Sequence, residues 1–195
     1  MPKTLTDEEI RQAASDLGIE TAVLKAVIEV EGVGNGFLPD GRPKILFEGH
    51  IFYSQLKKAG IDPDKMMHGN QDILFPRQTS AYYQGGPKEY GRLERARAIN
   101  REEALKSASY GRFQLMGLRY RECGFDNVDA FVAAHEGSEY GQLRAFCTFL
   151  RSQKLDRYLK DKDWREFARH YNGAGYAANQ YDRKLEMTYQ KYSRS

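Results

Sequence analysis

Leu24-Lys25-Ala26-Val27-Ile28-Glu29-Val30-Glu31-Gly32-Val33-Gly34-Asn35-Gly36-Phe37 is the stretch from which the rest of the chain is read. At the helical 100° per residue, Leu24, Val27, Ile28 and Glu31 share one stripe, flanked by Val23, Ala26 and Val30. Lys25 and Glu29 fall together on the opposite side, at the spacing of an exposed ion pair. The two glutamates therefore differ: Glu29 belongs to a solvated face, Glu31 to the apolar one. Gly32, Gly34 and Gly36 then end the helix. A carboxyl at the C-terminal end of an apolar helix is kept from ionising by desolvation and by the negative end of the helix dipole. A carboxylic acid held neutral near physiological pH is what a general acid requires. A half-exposed glutamate, its stem packed and its head in water, fits the same spacing equally well.

The chain has 195 residues, 41% hydrophobic and 29% charged, which suits one globular domain with a proper core or two small ones. The net charge of +3 is too small to argue for nucleic acid. The excess is local: nine Lys/Arg face four Asp/Glu between Lys88 and Arg121, as a surface for a polyanion would, or simply a solvated helical face. Two cysteines, Cys123 and Cys147, are too few for a disulfide framework, and Cys147 sits on the apolar stripe Leu143, Phe146, Leu150. The start, Met1 to Asp7, has no apolar run and does not read as a signal peptide, and no segment approaches the ~18 apolar residues of a membrane span. A chain of this kind is made in a cytoplasm.

Thr6 and Glu9 form a capping box that opens a helix running to Leu17 and ending at Gly18. The Glu31 helix follows from Thr21, then a Gly- and Pro-rich loop from Gly32 to Pro43. The apolar run Ile45 to Tyr53 encloses a second carboxylate, Glu48, and a histidine, His50. Glu48 reads either as chemistry or as a structural carboxylate that accepts backbone N–H groups from the loop. Gly60 to Gln78 reads as a long irregular connection of the kind that lines clefts or stays unstructured. Further helices are predicted over Pro87–Ile99, from the Asn100 cap to Lys106, and over Asn127–Glu136, Ser138–Ser152, Asp163–Tyr171 and on to Tyr192. Strand signals are nearly absent and no repeat or linker is visible. The expectation is one mostly α domain spanning 1–195.

No H-E-x-x-H and no C-x-x-C accompanies the four histidines, so no metal and no cofactor is expected. A nucleophile elbow and a phosphate-binding glycine loop are also missing. Carboxylates, amides and many aromatics remain, a set suited to acid-catalysed cleavage of a glycan.

Four stretches, in order, carry a resemblance. They are Val27-Ile28-Glu29-Val30-Glu31-Gly32 with Gly34, Gly36 and Phe37; Gly41-Arg42-Pro43 with Ile45-Leu46-Phe47-Glu48, His50 and Phe52; Ser107-Ala108-Ser109-Tyr110-Gly111 with Gln114, Met116 and Gly117; and Tyr171-Asn172-Gly173 with Gly175-Tyr176. Together they resemble the N-acetylmuramidase family of phage endolysins and, more distantly, goose-type lysozymes and soluble lytic transglycosylases. The likeness runs from about Leu5 to Tyr189. It implies a lysozyme-like helical domain with a glycan cleft and no separate wall-binding domain. It also implies cleavage between N-acetylmuramic acid and N-acetylglucosamine in peptidoglycan, with Glu31 as general acid. Ser109, Tyr110, Gln114 and Met116 would line the cleft, with Tyr171 and Asn172 near the acid and the sugar. Two departures from the family's habit stand out: Gly32 where a serine is common after the acid, and Tyr110 where tryptophan is common.

The second carboxylate, Glu48 or else Asp40, is left open. Inversion needs a base ~6.5–9.5 Å from the acid and retention a nucleophile ~5–5.5 Å away. A single-glutamate transglycosylase needs neither. A non-catalytic peptidoglycan-binding module is the alternative from another class, though binding alone does not call for an acid on an apolar stripe. A nucleic-acid binder lacks any recognition-helix signature. The expected partner is peptidoglycan, met by a monomer without stable membrane insertion. The expected setting is the periplasm, after release of a leaderless protein from a host cytoplasm through a holin, although a secreted toxin would carry the same residues.

Overall fold

The computed structural model describes residues 4–32 and 34–194, except the side chain of Ala174. Met1 to Lys3, on which part of the leader reading rests, Val33 of the opening stretch and Ser195 lie outside the described residues.

Helix α1, Asp7–Leu17, begins with both bonds of the Thr6–Glu9 capping box and ends at Gly18, whose φ of 73° is left-handed. Helix α2, Thr21–Glu31, buries Val23, Leu24, Ala26, Val27 and Ile28, and Gly32 terminates it. Lys25 and Glu29 lie on its outer side, but the expected pair between them does not form. Lys25 reaches Asp7 of α1 at 2.7 Å, and Glu29 binds Lys191 and Tyr192. The flanking helices supply better-placed partners than the helix's own i,i+4 neighbour.

The apolar run from Ile45 divides at Glu48 into strand β1, Ile45–Phe47, and helix α3, Gly49–Lys58. After it come α4, Lys88–Ile99, and α5, Arg101–Lys106, with Asn100 capping the Glu103 N–H as predicted. Strands β2, Ala108–Tyr110, and β3, Leu115–Met116, complete an antiparallel sheet in the order β1-β2-β3. Helices α6, Val128–Gly137, α7, Glu139–Ser152, α8, Asp156–Lys160, α9, Trp164–Asn172, and α10, Tyr181–Ser193, close the chain. The domain is mostly helical, as expected, and the small sheet is what the near absence of strand signals did not show. Strands of two or three residues show too little alternation to read, and pairing between distant segments makes them. One apolar cluster runs continuously from Ala13 and Leu17 of α1 through Phe47, Phe131 and Phe146 to Leu185 of α10.

The connection from Gly60 onward is irregular, as expected, but it is anchored: Ile73, Leu74 and Phe75 are buried. A buried ion pair on α4 holds it. Arg92 donates to the Asp72 carbonyl (2.7 Å), to the Phe47 carbonyl (2.9 Å) and to Glu89 (2.8 Å). Glu89 accepts in addition the backbone N–H groups of Phe47, Gln84 and Gly85. Both side chains are almost wholly buried. Burial alone would raise the Glu89 carboxyl, but the backbone donors and Arg92 outweigh it and hold the group below its usual 4.5. A carboxyl depressed in the fold stabilises it above the unfolded value, and that contribution is lost as pH falls through the folded value. Glu89→Gln, which strands a buried arginine, is expected to cost about 3–5 kcal/mol at neutral pH. In chemical denaturation, the gap to wild type should narrow only below about pH 4, as the native carboxyl protonates.

Candidate active site

Because α2 stops at Gly32, Glu31 ends the helix with its stem against the core and its head at the surface of a cleft of about 410 Å³. Asn35, Lys44, Leu46, Arg112 and Gln114 line the same cleft. Glu31 Oε2 accepts Asn172 Nδ2 at 3.1 Å, while Oε1 is buried and has no partner. The Asn172 Oδ1 atom is likewise buried and unpartnered. Burial raises the Glu31 carboxyl above its ordinary 4.5, and the amide bond and the charge of Lys184 oppose the rise without cancelling it. The amide suits both protonation states. Its NH2 donates to a carboxylate, and turned over, its carbonyl accepts the proton of a carboxylic acid.

Asn172 reaches the acid because α9 ends on it, at Gly173. The preceding Tyr171 packs its ring on Phe146 and Phe167 and feels the Glu31 charge. It lines a second hollow of about 480 Å³ with Met116 and Phe149, and Gln114 borders both hollows. Gln114 is held in the left-handed region at φ 47°, an uncommon state for a non-glycine residue. Its side chain donates to the Gly111 carbonyl at 2.8 Å and accepts from Ser109 Oγ at 2.8 Å. Ser109 is thus buried behind Gln114 and orients it, where the resemblance has it lining the cleft.

Tyr110 corrects the expectation more fully. Successive strand residues point to opposite faces, so with Ser109 toward Gln114, Tyr110 points to the other side of the sheet. There it is buried against Phe131 and His135, and its hydroxyl donates to the Leu105 carbonyl at 3.1 Å. It does not line the cleft of Glu31, and a tyrosine or a tryptophan there bears on the core. The other departure also has a structural reason. A Cβ on Gly32 would lie 2.7 Å from the Ile28 carbonyl oxygen and 2.9 Å from Arg112 Nε, and that nitrogen donates to the Gly32 carbonyl at 3.1 Å. A guanidinium occupies the place of a serine hydroxymethyl.

The other carboxylates are differently employed. Continuing the alternation of β1, Glu48 projects to the side of Leu46. Its Oε2 accepts the Tyr83 hydroxyl at 2.5 Å and lies 3.4 Å from His50 Nδ1. Among the described residues no backbone N–H of the loop donates to it, although the structural reading of Glu48 called for such donors. Its own N–H donates to the Ser107 carbonyl. Asp40 is exposed and forked to Arg42, and that contact holds its carboxyl below the usual value. Among the described residues, no group of His, Cys, Asp and Glu is placed to hold a metal ion.

Three residues about the site gave no signal in the sequence. Arg112 bridges Gly32 to Glu139 at 3.1 Å, and its backbone N–H donates to Gln142 Oε1 at 2.7 Å. Glu139 also accepts the Gly36 N–H at 2.6 Å. Glu139 reads as an acidic first-turn residue suited to the helix dipole, and only the fold shows it buried.

A carboxyl raised by the fold favours the folded state below its unfolded value, and that advantage is lost as pH rises through the folded value. Glu31→Gln is therefore expected to melt higher than wild type at neutral pH, by a few degrees, and to match it at about pH 4. Thermal unfolding at the two pH values checks this.

A family model described as Muramidase, N-acetylmuramidase, matches residues 20–193. A crystal structure of the Burkholderia AP3 phage endolysin shares 42% identity over the whole of this chain and 74% of its own, with a TM-score of 0.94. No curated protein matches.

Proposed function

The chain belongs to the N-acetylmuramidase family, and we propose that it is an endolysin whose Glu31 protonates the glycosidic oxygen that follows N-acetylmuramic acid in peptidoglycan. The observation that carries the reading is the state of Glu31: a carboxyl raised by burial, at the edge of a cleft, with one oxygen on Asn172 and the other unpartnered. General acids of this kind contribute about 10²–10⁴-fold to rate. Gln114, fixed by Ser109 and by the Gly111 carbonyl, presents an amide to the sugar beside the acid. Tyr171 and Met116 extend the groove on its far side.

Glu48 is the candidate for the second carboxylate, orienting water or stabilising positive charge on the sugar. Asp40, tied to Arg42 on an exposed turn, has no part in the chemistry. The engagement of Glu48 by Tyr83 and His50 favours a second reading as well: a fixed, non-reacting carboxylate beside a single-acid transglycosylase site, where the substrate's own N-acetyl group closes an anhydro ring. Among the described residues no helix is long and apolar enough to cross a membrane. The setting that fits is the cell wall of a lysing Gram-negative host.

Turbidity of purified Gram-negative peptidoglycan, with mass spectrometry of the fragments, tests these points. Glu31→Gln should lower clearing by about 10²–10⁴-fold while remaining folded. Reducing N-acetylmuramic ends from the wild type would establish hydrolysis, and anhydro ends the transglycosylase. Clearing by folded Glu31→Gln at the wild-type rate would overturn the assignment.

A further inference from the structure

The sheet has a second face with a pocket of its own. On the side to which Tyr110 points, α4, α5, α6 and the Arg42–Pro43 turn enclose a cavity of about 500 Å³. Its walls carry opposite charges over an apolar floor of Leu93, Leu105 and Val132. On one wall, Arg97 is held through Nη1 by Glu94 at 2.6 Å. Its Nε is buried without a hydrogen-bond partner. On the α6 wall stands Glu136, which carries no ion pair among the described residues. A guanidinium already pinned on one side, with a dry donor left over, is arranged to take a carboxylate. A free carboxylate opposite is arranged to take an ammonium. None of this chemistry is used by the glycan cleft.

The two hollows share one strip of backbone. Arg42 and Pro43 line this pocket, and Lys44, the next residue, lines the cleft of Glu31. We propose that this pocket binds the free end of a diamino-acid side arm, with ammonium and carboxylate on one carbon, the carboxylate on Arg97 and the ammonium facing Glu136. Resting on the muramidase reading, its source is the stem peptide of peptidoglycan that carries diaminopimelate. The enzyme then reads the glycan on one face of the sheet and the peptide on the other.

The test uses the full chain carrying Glu31→Gln, titrated by NMR with two synthetic stem tetrapeptides. One has diaminopimelate at its third position and the other lysine, which lacks the second carboxylate. The diaminopimelate peptide should bind with Kd near 1 mM or tighter, and the lysine peptide about tenfold more weakly. Glu136→Gln should weaken binding of both peptides alike, since both carry the ammonium, and Arg97→Gln should erase the difference between them. Arg97→Lys, which keeps the charge without the fork, should recover only part of it. Glu136 is exposed, so its variant serves if Arg97→Gln unfolds. Equal binding of the two peptides, no binding at about 10 mM, an Arg97→Gln variant that discriminates like the parent, or a Glu136→Gln variant that binds both peptides as tightly as the parent would each overturn the proposal. The titration contains no glycan and no active acid, so its outcome is separate from that of the cleavage assay. With Glu31 intact, Arg97→Gln should leave turnover of peptide-stripped glycan unchanged and raise KM on whole peptidoglycan, a split that mere destabilisation would not produce.

Discussion

The position of Glu31 depends on another carboxylate, one that is almost wholly buried. Glu139, at the start of α7, accepts the Gly36 N–H, the Leu5 N–H and the Arg112 guanidinium. Through Arg112 the network reaches the Gly32 carbonyl, the residue directly after Glu31. Gln142, one turn further along α7, takes the Arg112 N–H and donates to the His135 carbonyl. Gly32, Gly36 and Gly111 are glycines because this network leaves no room for a side chain there. A Cβ on Gly36 would overlap the Gln142 amide, and one on Gly111, already at φ 72°, would lie 2.5 Å from the Gln142 side-chain carbon. Irregular backbone normally stays at the surface because its polar groups need water. Here buried side chains take the place of that water at Gly32 and Gly36.

The same device appears on the other side of the cleft. Glu89 and Arg92 lie one turn apart on α4, and between them they satisfy backbone groups of β1, of the Gln84–Gly85 turn and of Asp72. A buried ion pair is weak evidence for stability as such, since desolvation offsets much of the attraction. Its value here is positional. Phe47, whose N–H and C=O both enter this network, precedes Glu48, and Tyr83, on the segment it anchors, donates to Glu48. Two glutamate–arginine networks thus hold the segments that carry Glu31 and Glu48.

What was legible in the chain follows from this division. Local signals identified the helices: the Thr6 capping box, the Asn100 cap and the stripe that separates Glu29 from Glu31. Motif order pointed to the family. The sheet was not legible, because three strands of two or three residues are made by their partners. The face on which each β2 residue lies was not legible for the same reason: Ser109 turns to Gln114 and Tyr110 into the core, where the resemblance had both lining the cleft. Glu139, Gln142, Glu89 and Arg92 gave no sign because polar residues on amphipathic helices are read as solvent-facing until the fold brings a loop over them. Lys25 and Glu29 show the converse case, a plausible local pair superseded by partners on other helices.

A three-residue strand then does more than brace the cleft. Because side chains alternate, β2 delivers Ser109 to Gln114 on one face and Tyr110 to the charged pocket on the other. A shift of register by one residue would exchange these two faces. Such a shift is opposed from both sides: Tyr110 would leave a site packed by Phe131 and His135, and Gln114 would lose the hydroxyl that orients it. The short sheet is therefore strongly specified despite its length. Glu31 gains from this indirectly, since Gly111, the residue after β2, packs on Gln142 and passes the chain to Arg112, which grips Gly32. The desolvation that raises the Glu31 carboxyl is unfavourable to the fold, and the fold tolerates it because the Gly32 backbone directly after that residue is held by Arg112 and, through it, by Glu139.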